Sequence, residues 1–467
     1  MNVPRLIVAA IQGRSGKTTF TIGLLRALRN RGLLPQGFKK GPDYIDPSWS
    51  TFASGVACRN LDAVMMTQEQ IVHSVCAHAH SADVAVIEGA MGIFDGLDWQ
   101  GSNSTAELAV LLKTPVILVV SGQRITRSVA ALINGVVNFD SRIHVAGVVL
   151  NQVARARHEN IMTRSIEAYC DVPLLGALPK TGDIEIPDRH LGLIPANEQE
   201  ALHSRVDRLG EMIENHVDID KLLQIAKDAP PLSDPLHVDR PVEIRDKVRI
   251  GVFRDRAFSF YYPENFEALE REGAKVVFID SLSDDHLPDL NGLYLGGGFP
   301  EMLGEKLSLN ARLRKEIHNA AESGMPIYAE CGGLMYLSEE IVSEYNHYPM
   351  AGVFNCKVVM GKRPVGHGYS SQRVMKGNLY FSAESTVRGH EFHHSHVEFS
   401  KDAQIPAFGY ETTRGKGLIE IDGVRYDGMI YKNTLACYHH FHALTSPEWA
   451  RNFVRLAAEY RKNKGDK

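Results

Sequence analysis

The sequence predicts an α/β protein with two doubly wound domains, and three patterns along its 467 residues support this. Short apolar runs alternate with stretches of helical spacing, as strands and helices do around a parallel sheet. Three prolines fall within residues 229–235, which indicates a linker. The alternation then starts again. We therefore expect domains at residues 1–228 and 246–467, joined by a linker at 229–245.

The individual elements follow from these runs. Strands covered on both faces are apolar throughout, so each short apolar run is predicted to be a buried parallel strand. Residues 18–31 have helical spacing and end before Gly32, which predicts a helix. The predicted strands are residues 6–10, 84–87, 116–120 and 145–150 in the first half, and 248–253, 275–279, 292–295, 326–329 and 433–436 in the second.

Composition narrows the possible functions. The formal net charge is −5 with acids and bases interspersed, which argues against binding to nucleic acid or to an anionic membrane. The six cysteines are scattered without a CxxC pair, a pattern that suits a reducing cytoplasm. The apolar run at residues 6–11 is too short for a signal peptide, and no stretch is long enough to span a bilayer. We therefore expect a cytoplasmic protein.

The segment around Cys331 predicts a reactive thiol. Apolar residues lead to it as a strand, and Ala329, Gly332 and Gly333 supply the small side chains that a tight strand-to-helix turn requires. The helix N-terminus that follows would favour a thiolate over a thiol. A lone cysteine in an apolar segment is more often a small buried hydrophobe, and this alternative stays open on the turn alone.

Three histidines near the C-terminal end offer a base for such a thiol: His439, His440 and His442. Alternation along a strand would place His440 and His442 on the same face. This arrangement suits a general base whose imidazole is oriented by a second residue, as in a catalytic triad. The alternative is that one or more of the three fills space or faces solvent. Together with Cys331, a base here predicts acyl transfer through a thioester.

A phosphate-binding loop is predicted directly after the first strand, where residues 13–19 read GRSGKTT. In a P-loop the backbone amides hold phosphates, Lys17 reaches the terminal ones and Thr18 binds magnesium. Ile11 and Gln12 depart from the usual pattern. A chance match is the alternative, but the strand before the loop and the helix after it disfavour this. The predicted nucleotide-binding residues of the loop are Gly13, Ser15, Gly16, Lys17, Thr18 and Thr19.

Two acidic segments follow the loop, at residues 39–46 and 87–96. Glu88 ends a predicted buried strand, at the edge where doubly wound sheets bind their ligands. A carboxylate there most simply holds magnesium against phosphates. Three further carboxylates lie in loops rich in glycine and proline, and a solvated side chain is the alternative for each of them: Asp43, Asp46 and Asp95.

Eight motifs together resemble the cobyrinate a,c-diamide synthase family, in that family's order and over almost the whole chain. The resemblance implies an ATP-binding domain similar to dethiobiotin synthetase, joined to a class I glutamine amidotransferase domain. Members of the family amidate two acetate side chains of an anionic tetrapyrrole, with glutamine as nitrogen donor and with ATP and magnesium. The motifs are GKTT (16–19), KKGPDYID (39–46), VIEGAMGIFDG (86–96), IPDRHLGL (186–193), FSFYYPEN (258–265), LGGGFPE (295–301), YAECGGLMYL (328–337) and RGHEFHHS (388–395).

The resemblance also implies roles for residues of the second half. By position, Cys331 is similar to the family's nucleophile and His440 to its base. His442 falls where many amidotransferases have a glutamate. The backbone amides of Gly332 and of the glycine loop that includes Gly298 would form the oxyanion hole.

For the first half, the resemblance implies that Lys17, Thr18 and Glu88 bind ATP and magnesium, and that Asn151 reads the adenine. Asp46 is expected as a further magnesium ligand. The acidic substrate, the phosphate and the metal would meet at Asp43, Tyr44, Asp46 and Asp95. Cationic side chains suited to an anionic ring are Lys39, Lys40, Arg363, His367, Arg388 and His390.

One string has a competing interpretation. Residues 390–394 match HExxH, the zinc-protease motif, which needs a helix so that both histidines share a face. Gly389 precedes the string and residues 395–399 have an extended pattern. The sequence therefore favours a loop near the glutaminase and the tetrapyrrole over a zinc site.

Several functions remain open on the sequence. Siroheme and nickel-sirohydrochlorin are alternative rings, because Lys40 and Ser50 depart from cobyrinate enzymes. A cobyric acid synthase would amidate other side chains, and segment 39–46 favours the a,c-type enzyme. A P-loop partner-switch ATPase with a degenerate second domain is an alternative from another class. It would need no working Cys331, so an intact Cys331 and His440 count against it. The oligomeric state is also open, with a homodimer as one option.

Overall fold

The chain divides into two compact units, Met1–His237 and Val238–Lys467. The motif at residues 186–193 and most of the predicted linker lie outside the part of the chain that is described. In the described residues, no helix is both long and apolar enough to cross a bilayer. The computed structural model describes residues 1–180, 199–234, 248–400 and 404–465.

The first unit is built around a parallel sheet with helices on both faces. Its strands are β1 (Arg5–Ala10), β2 (Pro35–Lys40), β3 (Arg59–Leu61), β4 (Val84–Glu88), β5 (Val116–Ser121), β6 (Val145–Val153) and β7 (Leu174–Pro179). Its helices are α1 (Lys17–Asn30), α2 (Ile45–Ser54), α3 (Gln68–His78), α4 (Thr105–Leu111), α5 (Ser128–Phe139), α6 (Ala156–Tyr169), α7 (Gln199–His216) and α8 (Ile219–Lys227). Among the described residues the strand order is β3-β2-β4-β1-β5-β6-β7.

The central strand β1 shows why its sequence is apolar throughout. Leu6 and Val8 contribute to the core on one face of the sheet, whereas Ile7 and Ala9 contribute to the core on the other. Both faces are covered, so every position of the strand is buried. The same reasoning holds for β4, β5 and β6, and the predicted fold class of this unit is confirmed.

Parallel strands bring their carboxyl ends to one edge of the sheet. The P-loop follows β1 at this edge, Glu88 ends β4, and the two lysines end β2. Asn151 lies near the end of β6, on the other side of β1 from β2 and β3. The fold therefore gathers the predicted phosphate-binding and acidic segments, which lie far apart in the sequence.

The second unit also has a central sheet. Its strands are β8 (Arg249–Phe253), β9 (Phe258–Phe260), β10 (Lys275–Ile279), β11 (Gly292–Leu295), β12 (Gly297–Gly298), β13 (Ile327–Glu330), β14 (Glu340–Ser343), β15 (Asn346–Pro349), β16 (Cys356–Met360), β17 (Gly366–Val374), β18 (Thr386–His393), β19 (Ser395–Phe399), β20 (Ala407–Arg414), β21 (Ile419–Ile421), β22 (Val424–Tyr431), β23 (Thr434–Cys437) and β24 (His440–Phe441). Its helices are α9 (Pro263–Arg271), α10 (Gly304–Leu309), α11 (Ala311–Glu322), α12 (Gly332–Leu337) and α13 (Glu448–Gly465), with short 3-10 turns at Pro300–Leu303 and Ala443–Thr445.

The sheet of the second unit is parallel on one side and antiparallel on the other. Strands β10-β8-β11-β13-β23 pair in parallel, as the sequence predicts for a doubly wound sheet. The sheet continues through β22-β20-β17-β18-β24 in antiparallel pairing, which the sequence did not predict. The α/β class is confirmed, and the added strands carry β18 and β24 to the base.

The HExxH string lies in a strand. Residues 390–393 belong to β18, which pairs with β17 and with β24. The prediction of a loop for this segment was wrong, and the helix that a zinc protease needs is absent from these described residues. The string is therefore a chance match that arises from a histidine-rich strand.

Candidate functional site

The nucleophile turn lies between β13 and α12 in the second unit. Cys331 has φ +47° and ψ −97°, a conformation that costs energy for a residue with a Cβ. Its backbone amide donates to the carbonyl of Cys437 at 2.7 Å, and its carbonyl accepts from Met335 at 3.0 Å. A Cβ at Gly333 would lie 2.3 Å from the carbonyl oxygen of Leu295, so this position requires glycine. These contacts hold the strained turn in place.

His440 lies beside the sulfur. Its side chain is hydrogen-bonded to Cys331, and its Nδ1 lies 3.1 Å from Oε2 of Glu330. Burial acts to lower the pKa of His440, but the hydrogen bonds to these two neighbours outweigh it and raise the pKa to about 10. His440 therefore keeps its proton at neutral pH.

The residue that orients His440 is Glu330 and not His442, so the prediction for His442 was wrong. His442 Nε2 lies 3.3 Å from Oε2 of Glu264, and its ring lies against Tyr262 with a centroid distance of 4.7 Å. Alternation along the segment did not bring the two histidines together. His440 lies in β24, whereas His442 precedes the turn at Ala443–Thr445.

Glu330 is held by a chain of buried hydrogen bonds. The hydroxyl of Tyr294 donates to Oε1 of Glu330 at 3.3 Å, and Nδ2 of Asn265 donates to that hydroxyl at 3.1 Å. Oδ1 of Asn265 in turn accepts from the backbone amide of Ala443 at 2.8 Å. The carboxylate is thereby held beside Nδ1 of the imidazole. The sequence did not predict this role, because the contact joins residues 110 positions apart.

The glycine loop packs against both the nucleophile turn and the base. A Cβ at Gly297 would lie 2.5 Å from Cε1 of His440, and a Cβ at Gly332 would lie 3.1 Å from the backbone nitrogen of Gly298. Only residues without side chains allow this approach. The structure therefore brings together the backbone of Gly298 and Gly332, the two predicted donors of an oxyanion hole.

In the first unit, the P-loop leads into α1 through Gly16, whose φ of +87° is readily adopted by glycine. Nζ of Lys17 donates to the carbonyl of Met91 at 2.6 Å. Oγ1 of Thr18 donates to Oε1 of Glu88 at 2.6 Å. The loop, the end of β4 and the segment after it are thus joined at the carboxyl edge of the sheet.

Lys39 lies in the middle of the acidic residues. Its Nζ lies 2.9 Å from Oε1 of Glu88 and 2.5 Å from Oδ2 of Asp46. Burial opposes the charge on Lys39, but the neighbouring carboxylates outweigh it and raise its pKa. Lys39 therefore faces the phosphate site. Lys40, the next residue of β2, lies on the other face of the strand.

The three predicted magnesium ligands lie together. Oγ1 of Thr18 lies 3.4 Å from Oδ2 of Asp46 and within hydrogen-bond distance of Glu88. The second carboxylate oxygen of Glu88 is buried without a hydrogen-bond partner. Two carboxylates and a hydroxyl fit a hard cation that shares its coordination with phosphate oxygens and water. Among the described residues, no group of three or more His, Cys, Asp and Glu side chains is arranged to hold a metal by itself.

Comparisons with known proteins identify both units. Residues 6–194 match the family model described as "CobQ/CobB/MinD/ParA nucleotide binding domain", and residues 249–448 match "CobB/CobQ-like glutamine amidotransferase domain". The chain is 43% identical over 465 residues to a cobyrinate a,c-diamide synthase of Magnetococcus marinus, covering 98% of each chain. It is 41% identical over 458 residues to one of Archaeoglobus fulgidus, again over 98% of each. The chain belongs to the cobyrinate a,c-diamide synthase family.

Membership of the cobyrinate a,c-diamide synthase family confirms the resemblance that the motifs carry. It also confirms the prediction of a nucleotide-binding domain followed by a glutamine amidotransferase domain. A third relative, from Methanosarcina barkeri, is 38% identical over 489 aligned positions and covers 98% of this chain and 97% of its own.

His390 was predicted to contact the tetrapyrrole, but it lies buried beside His440. Its ring is buried and stacks on His440 with a centroid distance of 5.0 Å. Its Nε2 lies 2.9 Å from the hydroxyl of Tyr262. Burial, followed by repulsion from His440, holds the pKa of His390 well below its usual value. His390 is therefore a neutral neighbour of the base, whereas Arg388 is exposed.

The remaining predicted residues of the first unit mostly shape its loops. Oδ1 of Asp43 accepts the backbone amide of Ile45 at 2.8 Å, at the start of α2, which Tyr44 precedes. Oδ2 of Asp95 accepts the amide of Gly92 at 2.8 Å. Asn151 donates from Nδ2 to the carbonyl of Ser15 at 3.0 Å, so it supports the P-loop.

Acid is expected to destabilise the protein through buried neutral histidines such as His393. Burial lowers the pKa of His393 from 6.5 to about 4, so the unfolded chain takes up its proton first as the pH falls. Stability is therefore lost from about pH 6.5 downwards, by about 2 kcal/mol near pH 5 for this residue. Urea unfolding at about pH 7.5 and about pH 5 measures the loss.

The matched pair is His393→Gln against His286→Gln, since His286 is exposed. The His393 variant should lose less stability between the two pH values than the wild type does. An equal loss in both variants would show that His393 is not a source of the acid sensitivity.

Proposed function

We propose that the protein is an ATP- and glutamine-dependent amidoligase that converts the a and c acetate side chains of cobyrinate into amides. The full-length relatives that carry the name cobyrinate a,c-diamide synthase support this proposal. The observation that carries it is the buried contact of Cys331, His440 and Glu330, in a chain that also holds a P-loop beside an acidic cluster. The first arrangement releases ammonia, and the second activates a carboxylate.

Ammonia release begins with the Cys331 thiolate attacking the side-chain carbonyl carbon of glutamine. The developing oxyanion accepts hydrogen bonds from the backbone amides of Gly332 and Gly298. His440, which holds its proton at neutral pH, donates it to the leaving nitrogen, and ammonia departs. The neutral imidazole then takes a proton from water as the water attacks the thioester. Glutamate leaves, and the thiolate and the imidazolium are restored.

Activation of the acetate takes place in the first unit. A carboxylate is a poor electrophile, so its oxygen first attacks the γ-phosphorus of ATP and forms an acyl phosphate with loss of ADP. Lys17 and Lys39 neutralise the charge that develops on the phosphoryl oxygens. Magnesium, when bound by Thr18, Asp46 and Glu88, would supply further charge neutralisation there. Ammonia then attacks the acyl carbon, and phosphate leaves as the amide forms.

The other candidate functions have less support. Siroheme and nickel-sirohydrochlorin stay possible rings, and the names of the relatives favour cobyrinate over both. A partner-switch ATPase would not use the hydrogen-bonded group of Cys331, His440 and Glu330. Magnesium, a cytoplasmic location and a homodimer are parts of this proposal that rest on the family and on the composition.

Mass spectrometry of reaction products tests the proposal. The protein is incubated with ATP, magnesium and glutamine, and with cobyrinate, siroheme or nickel-sirohydrochlorin in separate reactions. We expect cobyrinate to gain one and then two amides. Amidation of siroheme alone would transfer the proposal to that ring. Turnover of a small acid but of no tetrapyrrole would contradict it.

Glu330→Gln is expected to lower the rate of glutamine hydrolysis by roughly a hundredfold or more, because the carboxylate holds the tautomer and the charge of His440. Amidation with ammonium should stay near that of the wild type. The pH profile of glutamine hydrolysis should also shift to lower pH, since Glu330 helps to raise the pKa of His440.

The control for this variant is Glu264→Gln, which alters a buried carboxylate that pairs with His442. It should keep the pH profile of the wild type. A Glu330 variant with unchanged glutamine hydrolysis, or with a lower rate but the same pH profile, would show that Glu330 does not position the base.

A further inference from the structure

A cavity of about 400 Å³ opens at the carboxyl edge of the first sheet, beside the ends of β2 and β3. Lys40 lies in its wall, whereas Lys39 points to the acidic cluster. The cavity is too small to enclose a whole tetrapyrrole, but it can take one edge of a ring with a side arm. Its lining includes Lys40, Leu61, Gln100, Ser102, Glu107 and Leu108.

Lys40 gives the cavity wall a buried positive charge that is only partly balanced. The side chain is 7% exposed, and burial lowers its pKa more strongly than the attraction of Asp62 raises it. Asp62 itself accepts the backbone amides of Val64 and Met65, at 2.8 and 3.0 Å. A ligand carboxylate would supply the missing counter-charge.

The only carboxylate among the cavity-lining residues does not cancel this charge. Glu107 is paired with Arg142, whose Nη2 lies 2.6 Å from its Oε1. The polar remainder of the wall consists of amide and hydroxyl side chains. The cavity therefore suits an anionic group better than a cation.

Trp99 directly precedes Gln100, which lines this cavity, in a loop that is held by hydrogen bonds. Its side chain is 91% exposed, whereas the other two tryptophans of the chain are buried. The amide of Leu97 donates to the carbonyl of Ser102 at 2.9 Å, and Oδ1 of Asp98 accepts the amide of Ser102 at 3.1 Å. A large aromatic side chain presented in this way is suited to lie against a flat apolar ring.

We propose that this cavity binds a peripheral carboxylate arm of the ring that is not being amidated, with Lys40 as its counter-ion and Trp99 against the ring. The inference rests on the proposed function. Lys39 would then lie near the carboxylate that reacts, and Lys40 would bind a second carboxylate of the same polyacid that does not react. Both residues end β2, so the acidic cluster around Lys39 and the cavity at Lys40 lie at the same edge of the sheet.

The position of the cavity in the sheet supports this division. It lies beside β2 and β3, on one side of β1 and the P-loop. Asn151 and the ends of β5 and β6 lie on the other side. A nucleotide that extends from the P-loop towards β6 leaves the cavity free for the ring.

Equilibrium dialysis of cobyrinate against the full-length protein, at low and at high salt, tests the proposal. Lys40→Met keeps the apolar stem and removes the charge. We expect it to weaken binding about tenfold or more at low salt and to reduce the salt dependence. In turnover it should raise KM for the ring more than it lowers kcat. Trp99→Ala, which changes an exposed side chain, should also weaken ring binding. Lys227→Met, at an exposed position on α8, is the matched control.

The outcomes separate this inference from the proposed function. Wild-type protein that amidates cobyrinate, with Lys40→Met and Trp99→Ala binding it as the wild type does, would overturn the holding site and leave the function intact. Wild-type protein that neither binds nor amidates cobyrinate would overturn both. ATP affinity measured in each variant shows whether the first unit is folded. Should Lys40→Met fail this check, Trp99→Ala alone decides.

Discussion

Replacing Cys331 by serine is expected to reduce glutamine-dependent amidation by at least about a thousandfold, since a serine hydroxyl is a far weaker nucleophile than a thiolate at neutral pH. The partners of the sulfur, His440 and the carbonyl of Phe392, stay in place. Amidation with a high concentration of ammonium should remain near that of the wild type, because the first unit is unchanged. Product formation is measured with each nitrogen source in turn.

This pair of measurements tests the division of labour between the two units. Cys356→Ser is the matched control, since Cys356 is a buried cysteine of the same unit. It should retain glutamine-dependent activity. Loss of ammonium-dependent activity together with glutamine-dependent activity in the Cys331 variant would contradict the proposal that Cys331 acts only in ammonia release.

Lys17→Ala is expected to lower amidation by at least about a thousandfold with either nitrogen source. The ammonium of Lys17 is the P-loop charge that neutralises the transferred phosphoryl group, and no acyl phosphate forms without that transfer. Its Nζ already lies at the end of the loop, 2.6 Å from the carbonyl of Met91. The readout is the rate of amide and phosphate formation in the presence of ammonium.

Lys221→Ala is the control, because Lys221 is an exposed lysine of the same unit. Glutamine hydrolysis measured on the Lys17 variant reports whether the second unit is intact. Wild-type amidation by the Lys17 variant with ammonium would show that the P-loop assignment is wrong, or that Arg14 provides the charge instead.

The parallel parts of the fold could be predicted because their strands are buried on both faces, as β1 shows. Residues 6–9 of β1 belong alternately to two cores, so the sequence shows an unbroken apolar run, which a strand with one solvent-facing side would not have. The antiparallel half of the second sheet is different. In β17 buried positions alternate irregularly with exposed ones, and the segment is rich in glycine and polar residues. Its apolar pattern is too weak to mark a strand.

The candidate site could be predicted where a local backbone conformation sets the chemistry. Lys17 begins a helix and Cys331 directly precedes one, each after a strand, so short motifs identify them. Glu330 could not be assigned in this way. Its contact with His440 joins residues 110 positions apart and depends on how β24 pairs with β18. His442 was wrongly predicted to orient His440. The strand ends at Phe441, so His442 does not continue the alternation that the prediction assumed.

Cys331 occupies a backbone conformation that glycine would adopt at lower cost, by about 1 kcal/mol or more. Folding and reaction therefore make opposite demands on this one position. A lineage that no longer needed ammonia from glutamine would have two reasons to lose the cysteine, disuse and a gain in stability. A cysteine in this strained conformation therefore indicates continuing selection for glutamine hydrolysis.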